Sequence, residues 1–148
     1  MSKACHFIDT SALFKRYIQE AGTDQMDLLF EKESLFVVSN LSVIEMISNL
    51  KRLVDVDKKI SIAIYNAIKS EFFGDIANGI IKVEPVSSVN IVTAADMLDK
   101  VYISPIDSLQ LAMAKNLKDS YENIFLVCSD KKLCSLAEKE GITVVRIG

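Results

Sequence analysis

Short β-rich apolar runs alternate along the chain with longer stretches in which hydrophobic residues recur at helical spacing. The runs are Ala4–Ile8, Ser34–Val38, Ile80–Val86, Ile124–Cys128 and Thr143–Ile147, and each reads as a strand. Helical periodicity spans Ala12–Ile18, Asp24–Lys32, Leu41–Val54, Lys58–Phe73, Val89–Tyr102, Pro105–Leu117 and Lys131–Glu140. In Leu41–Val54 the residues Val43, Ile47, Leu50 and Val54 form one apolar stripe, while Glu45, Asn49 and Arg52 share another face. Gly141 follows the last helix as a C-cap. Strands alternating with helices predict a mostly parallel sheet covered on both faces, a three-layer α/β domain. Such sheets bind their ligands beyond the carboxyl ends of the strands.

A chain of 148 residues fits a single domain, 1–148, that buries roughly 70% of its unfolded surface. Half of the residues are hydrophobic and a quarter charged, which excludes a disordered tail. The mean hydropathy of +0.26 is high for a monomer. It points to an apolar face covered by a partner or a second copy, or to buried parallel strands. No apolar run approaches the roughly 18 residues of a membrane span. "MSKACHFID" enters the first strand directly and leaves no room for a signal peptide. Cys5, Cys128 and Cys134 are odd in number and lack CxxC spacing. Free thiols and a cytoplasmic location follow as expectations. One histidine without a cysteine cluster argues against zinc; His6 reads as a packed or edge histidine. The net charge of −3 gives no overall electrostatic footprint for nucleic acid. Lys15-Arg16, Lys51-Arg52 and Lys131-Lys132 are the local basic pairs.

Against this background four acids stand out. Asp9 ends the first strand in "FIDTSAL", Glu45 follows the second by one turn, and Asp130 ends the fourth in "FLVCSDKKL". Asp107, in "ISPIDSLQLAMA", shares a helical face with Ile103, Leu111 and Ala114. A carboxylate on such a face is costly unless paired or bound to a metal. Local capping offers another account of each. Ser42-x-x-Glu45 has the form of a capping box, Ser104-Pro-Ile-Asp107 is a close variant, and Asp9 and Asp130 suit N-caps. Taken together, clustered carboxylates without histidine or cysteine suit a hard divalent cation such as Mg²⁺. Hydrolysis of a phosphodiester is the natural chemistry of that set.

"FIDTSAL", "SNLSVIEMISNLKR", "SPIDSLQLAMAK" and "LVCSDKKLCSLAEKEGITVV" resemble, in order and spacing, the four acidic motifs of PIN-domain nucleases. The nearest subgroup is the VapC-type toxins of toxin–antitoxin pairs, and the resemblance runs from Phe7 to about Ile147. It implies a Rossmann-like three-layer sandwich with a central parallel sheet of order 3-2-1-4-5. It also implies a Mg²⁺- or Mn²⁺-dependent endoribonuclease that leaves a 5′-phosphate and a 3′-hydroxyl. Asp9, Glu45, Asp107 and Asp130 would form the catalytic, metal-binding quartet, and Thr10 would support it by hydrogen bonding. An RNA substrate, a cognate antitoxin and a homodimer are the implied partners. The dimer contact or antitoxin groove would fall in the apolar helices of "DQMDLLFEKESLF" and "KKISIAIYNAIKSEFFGDI".

The chain departs from the family pattern in two places. Cys128 stands where many relatives carry threonine or serine, which moves the supporting hydroxyl to Ser129. Gln110 replaces a histidine of the third motif and is expected to serve packing. Arg52 matches a basic position that suits either a substrate phosphate or a salt bridge within the fold. Haloacid-dehalogenase-type phosphatases need a second aspartate where this chain has Ser11, and receiver domains need an acid pair that it lacks. The alternative from another class is a non-catalytic PIN-like module that binds RNA or protein.

Overall fold

Side chains along a strand point alternately to opposite faces, and here that alternation divides the core in two. The computed structural model describes residues 4–148. Strands β1 (Ala4–Ile8), β2 (Ser34–Ser39), β3 (Lys82–Glu84), β4 (Ile124–Cys128) and β5 (Thr143–Arg146) form one sheet in the order β3-β2-β1-β4-β5. Every pairing is parallel, as expected. Cys5, Phe7, Val37, Leu126 and Cys128 face helices α5 (Ser88–Lys100), α6 (Pro105–Leu117) and α7 (Lys131–Lys139). Ile8, Phe36, Val38 and Val127 face α1 (Thr10–Tyr17), α2 (Thr23–Phe30), α3 (Asn40–Asp55) and α4 (Ile62–Ala77). Residues 1–3, on which the expectation of no signal peptide partly rests, lie outside the described residues.

Two departures from the periodicity reading have a local reason. The fourth helix starts at Ile62 rather than Lys58 because Lys58 takes a left-handed φ of 54°. Ser61 then caps the helix, accepting from the Ile64 amide at 3.1 Å. The third strand shrinks to three residues at the sheet edge. Pro85, which has no amide hydrogen to donate, follows it directly.

The expectation of three free thiols is corrected. Cys128 and Cys134 form a disulfide with Cα atoms 6.2 Å apart, leaving Cys5 as the free, buried thiol. The chain leaves β4, turns at Asp130, and the first turn of α7 brings Cys134 back over the strand end. Cysteine spacing does not reveal that return. His6 is packed as expected, 5.0 Å from the Phe125 ring and 5.8 Å from Phe36. Among the described residues no helix is long and apolar enough to cross a membrane.

Candidate active site

The sheet's carboxyl edge is where β1 hands over to α1. Ile8 is fully buried, and Asp9 turns the chain as the N-cap of α1. Its Oδ2 accepts from the Ser11 amide at 3.3 Å and from the Ser11 hydroxyl at 2.7 Å. Its Oδ1 accepts from Gln110 Nε2 at 3.2 Å. Asp9 is only 7% exposed. Burial pushes its carboxyl above the usual carboxylate range; the Ser11 and Gln110 bonds oppose that, and the nearby Asp107 charge adds to it.

The neighbouring hydroxyls form a chain whose direction follows from counting protons. The Glu45 carboxylate can only accept, so Thr10 Oγ1, 2.7 Å away, gives its one proton to Glu45 Oε1. The 2.9 Å contact between Thr10 and Ser42 is then donated by Ser42. Ser42 in turn accepts from Gln110 Nε2 at 2.8 Å and from Ser39 at 3.3 Å. Gln110 thus spends both amide hydrogens, one on Asp9 and one on the relay Ser42–Thr10–Glu45. Its orientation is fixed, because the opposite one would set its carbonyl against the Asp9 carboxylate. The cost is that Gln110 Oε1 is buried without a hydrogen-bond partner.

The structure also rules out both proposed capping boxes. Helix α3 starts at Asn40 with Ser39 as cap, accepting from the Ser42 amide at 3.1 Å. Glu45 therefore lies in the second turn, with its carboxylate on Thr10. Ser104 caps α6 without a side-chain bond, and Pro105 opens the helix. Asp107 is half-buried in its first turn. Asp130 is a true N-cap, accepting from the Leu133 amide at 3.0 Å, and is exposed.

The four acids line one cavity of about 210 Å³, together with Thr10, Ser11, Asn49 and Ile106. Neither lysine nor arginine is among the lining residues. An all-oxygen donor set around a buried carboxylate fits a hard divalent cation. Among the described residues no three acids converge as a ready-made cage.

Several residues read differently in three dimensions. Arg52 is 69% exposed, 4.0 Å from Asp57, and outside the cavity lining. Asn49, on the same predicted face, does line it. Ser129 reaches the site through its backbone, its amide donating to Ser11 Oγ at 3.2 Å; its side chain is not among the cavity residues. The sequence reading passed over Ser11 as a site residue, although a serine two places after a strand-ending aspartate signals a local side-chain turn. It assigned Gln110 to packing; the residue is fully buried and also holds Asp9.

The PIN-domain family profile matches residues 6–145. No curated protein sequence is significantly similar to the chain. Among solved structures, FitAcB from Neisseria gonorrhoeae superposes with a TM-score of 0.69 at 13% identity, covering 95% of this chain and 96% of that one. DNA-bound VapBC from Salmonella typhimurium gives 0.64 at 12% identity, covering 97% and 98%. VapBC2 from Rickettsia felis, bound to promoter DNA, gives 0.66 at 12% identity, covering 97% and 99%. With the family profile over nearly the whole chain and a sheet of order 3-2-1-4-5, the chain belongs to the PIN-domain family.

Proposed function

We propose that this protein is a Mg²⁺- or Mn²⁺-dependent endoribonuclease and the toxin of a toxin–antitoxin pair. The observation that carries the reading is the meeting of four carboxylates, from four separate segments, in one cavity without a cation among its lining residues. Asp9, Glu45, Asp107 and Asp130 would hold the ion. When bound, it supplies polarisation of the phosphodiester and a source of hydroxide near neutral pH. The chain's own groups prepare that site. Ser11 and Gln110 fix Asp9 from two sides, and Thr10 holds Glu45. The Asn49 amide, on the cavity wall, is placed to hydrogen-bond a substrate sugar or phosphate.

The structural neighbours are VapBC and FitAcB complexes, which supports an antitoxin as partner. Exposed apolar residues supply candidate contact surfaces. Leu28, Ile62, Ile64 and Phe73 on α2 and α4, and Val89, Val92 and Tyr102 on and beside α5, are such surfaces for an antitoxin or a second copy. RNA and such a partner would be met in the cytoplasm.

The test is cleavage of a mixed small-RNA pool by the purified protein with Mg²⁺ or Mn²⁺, alongside EDTA and Asp9→Asn controls. Metal-dependent cleavage that the variant lacks is the expected result. A protein that neither cleaves nor binds metal would be a non-catalytic module instead.

A further inference from the structure

Next to the carboxylate cavity lies a second one of about 290 Å³, and its charged side chains are cations: Lys15, Lys131 and Arg146. The two cavities stand on either side of one hydrogen bond, from the Ser129 amide to Ser11 Oγ. Ser11 lines the acidic cavity and Ser129 the basic one. Lys15 lies one helical turn beyond Ser11 on the same face of α1. Lys131 follows Asp130 directly, and Arg146 is in register with Cys128 at the end of β4. Two of the three basic pairs noted in the sequence thus contribute a lysine to one pocket beside the four acids.

We infer that this pocket holds a backbone phosphate of the RNA strand, adjacent to the phosphate placed at the carboxylates. The inference rests on the ribonuclease reading. A polyanion is repelled by a cavity whose charged side chains are all acids, so the strand needs cationic contacts where it leaves that cavity. Arg52, the sequence candidate for a phosphate contact, lies outside the lining of both. Two of the three cations, Lys131 and Arg146, are exposed and available. Lys131 has no ion-pair or hydrogen-bond partner among the described residues. Lys15 pairs with Glu20 at 3.1 Å, and Arg146 pairs with Glu138. The Lys15 and Glu20 side chains are 13% and 38% exposed, and Arg146 and Glu138 are each about half exposed. A surface pair such as Arg146–Glu138 holds weakly and exchanges readily for a phosphate.

The deciding experiment measures cleavage of a labelled single-stranded RNA pool with Mn²⁺ by the parent protein and by Lys131→Gln/Arg146→Gln. Both positions are exposed, so the fold tolerates the change. The expected result is a kcat/KM lower by roughly tenfold, carried by KM, with kcat nearly unchanged. The slope of log(kcat/KM) against log[salt] should fall by about 0.7, the value for one phosphate contact on a single strand. Mn²⁺ affinity measured without RNA should stay the same, and Lys131→Arg/Arg146→Lys should restore KM. A double variant that matches an active parent in KM and salt slope would overturn the pocket assignment and leave the nuclease reading standing. A parent that neither binds Mn²⁺ nor cleaves would remove both.

Discussion

Asp9 and Asp130 stand at junctions written in the same local grammar: an apolar strand, an aspartate, a helix. Both adopt extended backbone, and both cap the helix that follows, Asp9 on the Ser11 amide and Asp130 on the Leu133 amide. Beyond that they diverge. Asp9 directly follows the central strand, its amide donating to the Val127 carbonyl at 2.9 Å, and its carboxylate is gripped by Ser11 and, from 101 residues away, Gln110. Asp130 sits on the exposed rim of the same cavity. Capping explains Asp130 fully as a local device. It does not explain Asp9, because a cap has no need of burial, and burial of a carboxylate is unfavourable until a counter-charge arrives.

The largest expected effect therefore belongs to Asp9→Asn. The substitution keeps the shape and the cap while removing the buried charge. Cleavage should fall by more than the ten- to hundredfold that loss of an orienting partner costs a metal site. Without metal, the variant should melt at a higher temperature than the parent, since it no longer buries an uncompensated carboxylate. Added Mn²⁺ should then raise the parent's melting temperature but not the variant's, because only a ligand that binds the native state stabilises it. A variant that melts below the parent in EDTA would mean that Asp9 is chiefly structural.

Gln110→Leu comes next and removes the grip rather than the ligand. Metal affinity and cleavage should each drop roughly ten- to hundredfold, with the weaker binding visible by calorimetry in the absence of RNA. The stability loss should be only about 1 kcal/mol. The substitution takes away two hydrogen bonds but also eliminates the orphaned Gln110 carbonyl. Unchanged metal affinity would return Gln110 to the packing role that its replacement of a family histidine first implied.

What was legible in the chain follows the same division. The five strands and seven helices were written locally, as apolar runs and 3.6-residue periodicity; Asp9, Glu45 and Asp130 stood at places that an α/β sheet uses for ligands, and Asp107 stood out by its apolar helical face. The start of α3 was read to within one residue, at Leu41 against Asn40, but its cap was sought at Ser42, and only the structure shows Ser39 accepting the capping bond. Lys58 gave no warning that it would break the fourth helix by adopting a positive φ. The relay from Gln110 through Ser42 and Thr10 to Glu45 was not legible at all. Its members lie 68, 32 and 35 residues apart, and periodicity carries no information about which buried hydroxyls meet. The Cys128–Cys134 pairing was hidden for a different reason: six residues apart, the two cysteines meet only because the chain turns back at Asp130.

Asp130 can be divided experimentally into its two parts. Asp130→Ser retains an oxygen that accepts from the Leu133 amide, so chemical denaturation should place it within about 0.5 kcal/mol of the parent, while Asp130→Ala should lose about 1 kcal/mol. Both should reduce cleavage by the same factor, smaller than for Asp9→Asn because an exposed carboxylate at the rim is more readily replaced by water. If the serine variant retained full activity, Asp130 would be a cap alone and the metal-binding set would shrink to three.

Arg52→Gln should have the smallest effect, and it tests whether sharing a helix face with the site is enough to take part in it. Glu45, Asn49 and Arg52 lie along one face of α3, yet the first two line the cavity and Arg52 points to solvent near Asp57. At 69% exposure and 4.0 Å the ion pair is at the weak end of surface pairs, which contribute roughly 0–1 kcal/mol. Stability should stay within about 0.5 kcal/mol of the parent. KM for RNA should change by less than about twofold, with no change in salt slope, since no phosphate contact is lost. A clear rise in KM with a shallower salt slope would show that the RNA runs along α3. The strand would then leave the acidic cavity toward Arg52 rather than past Ser129, Lys131 and Arg146.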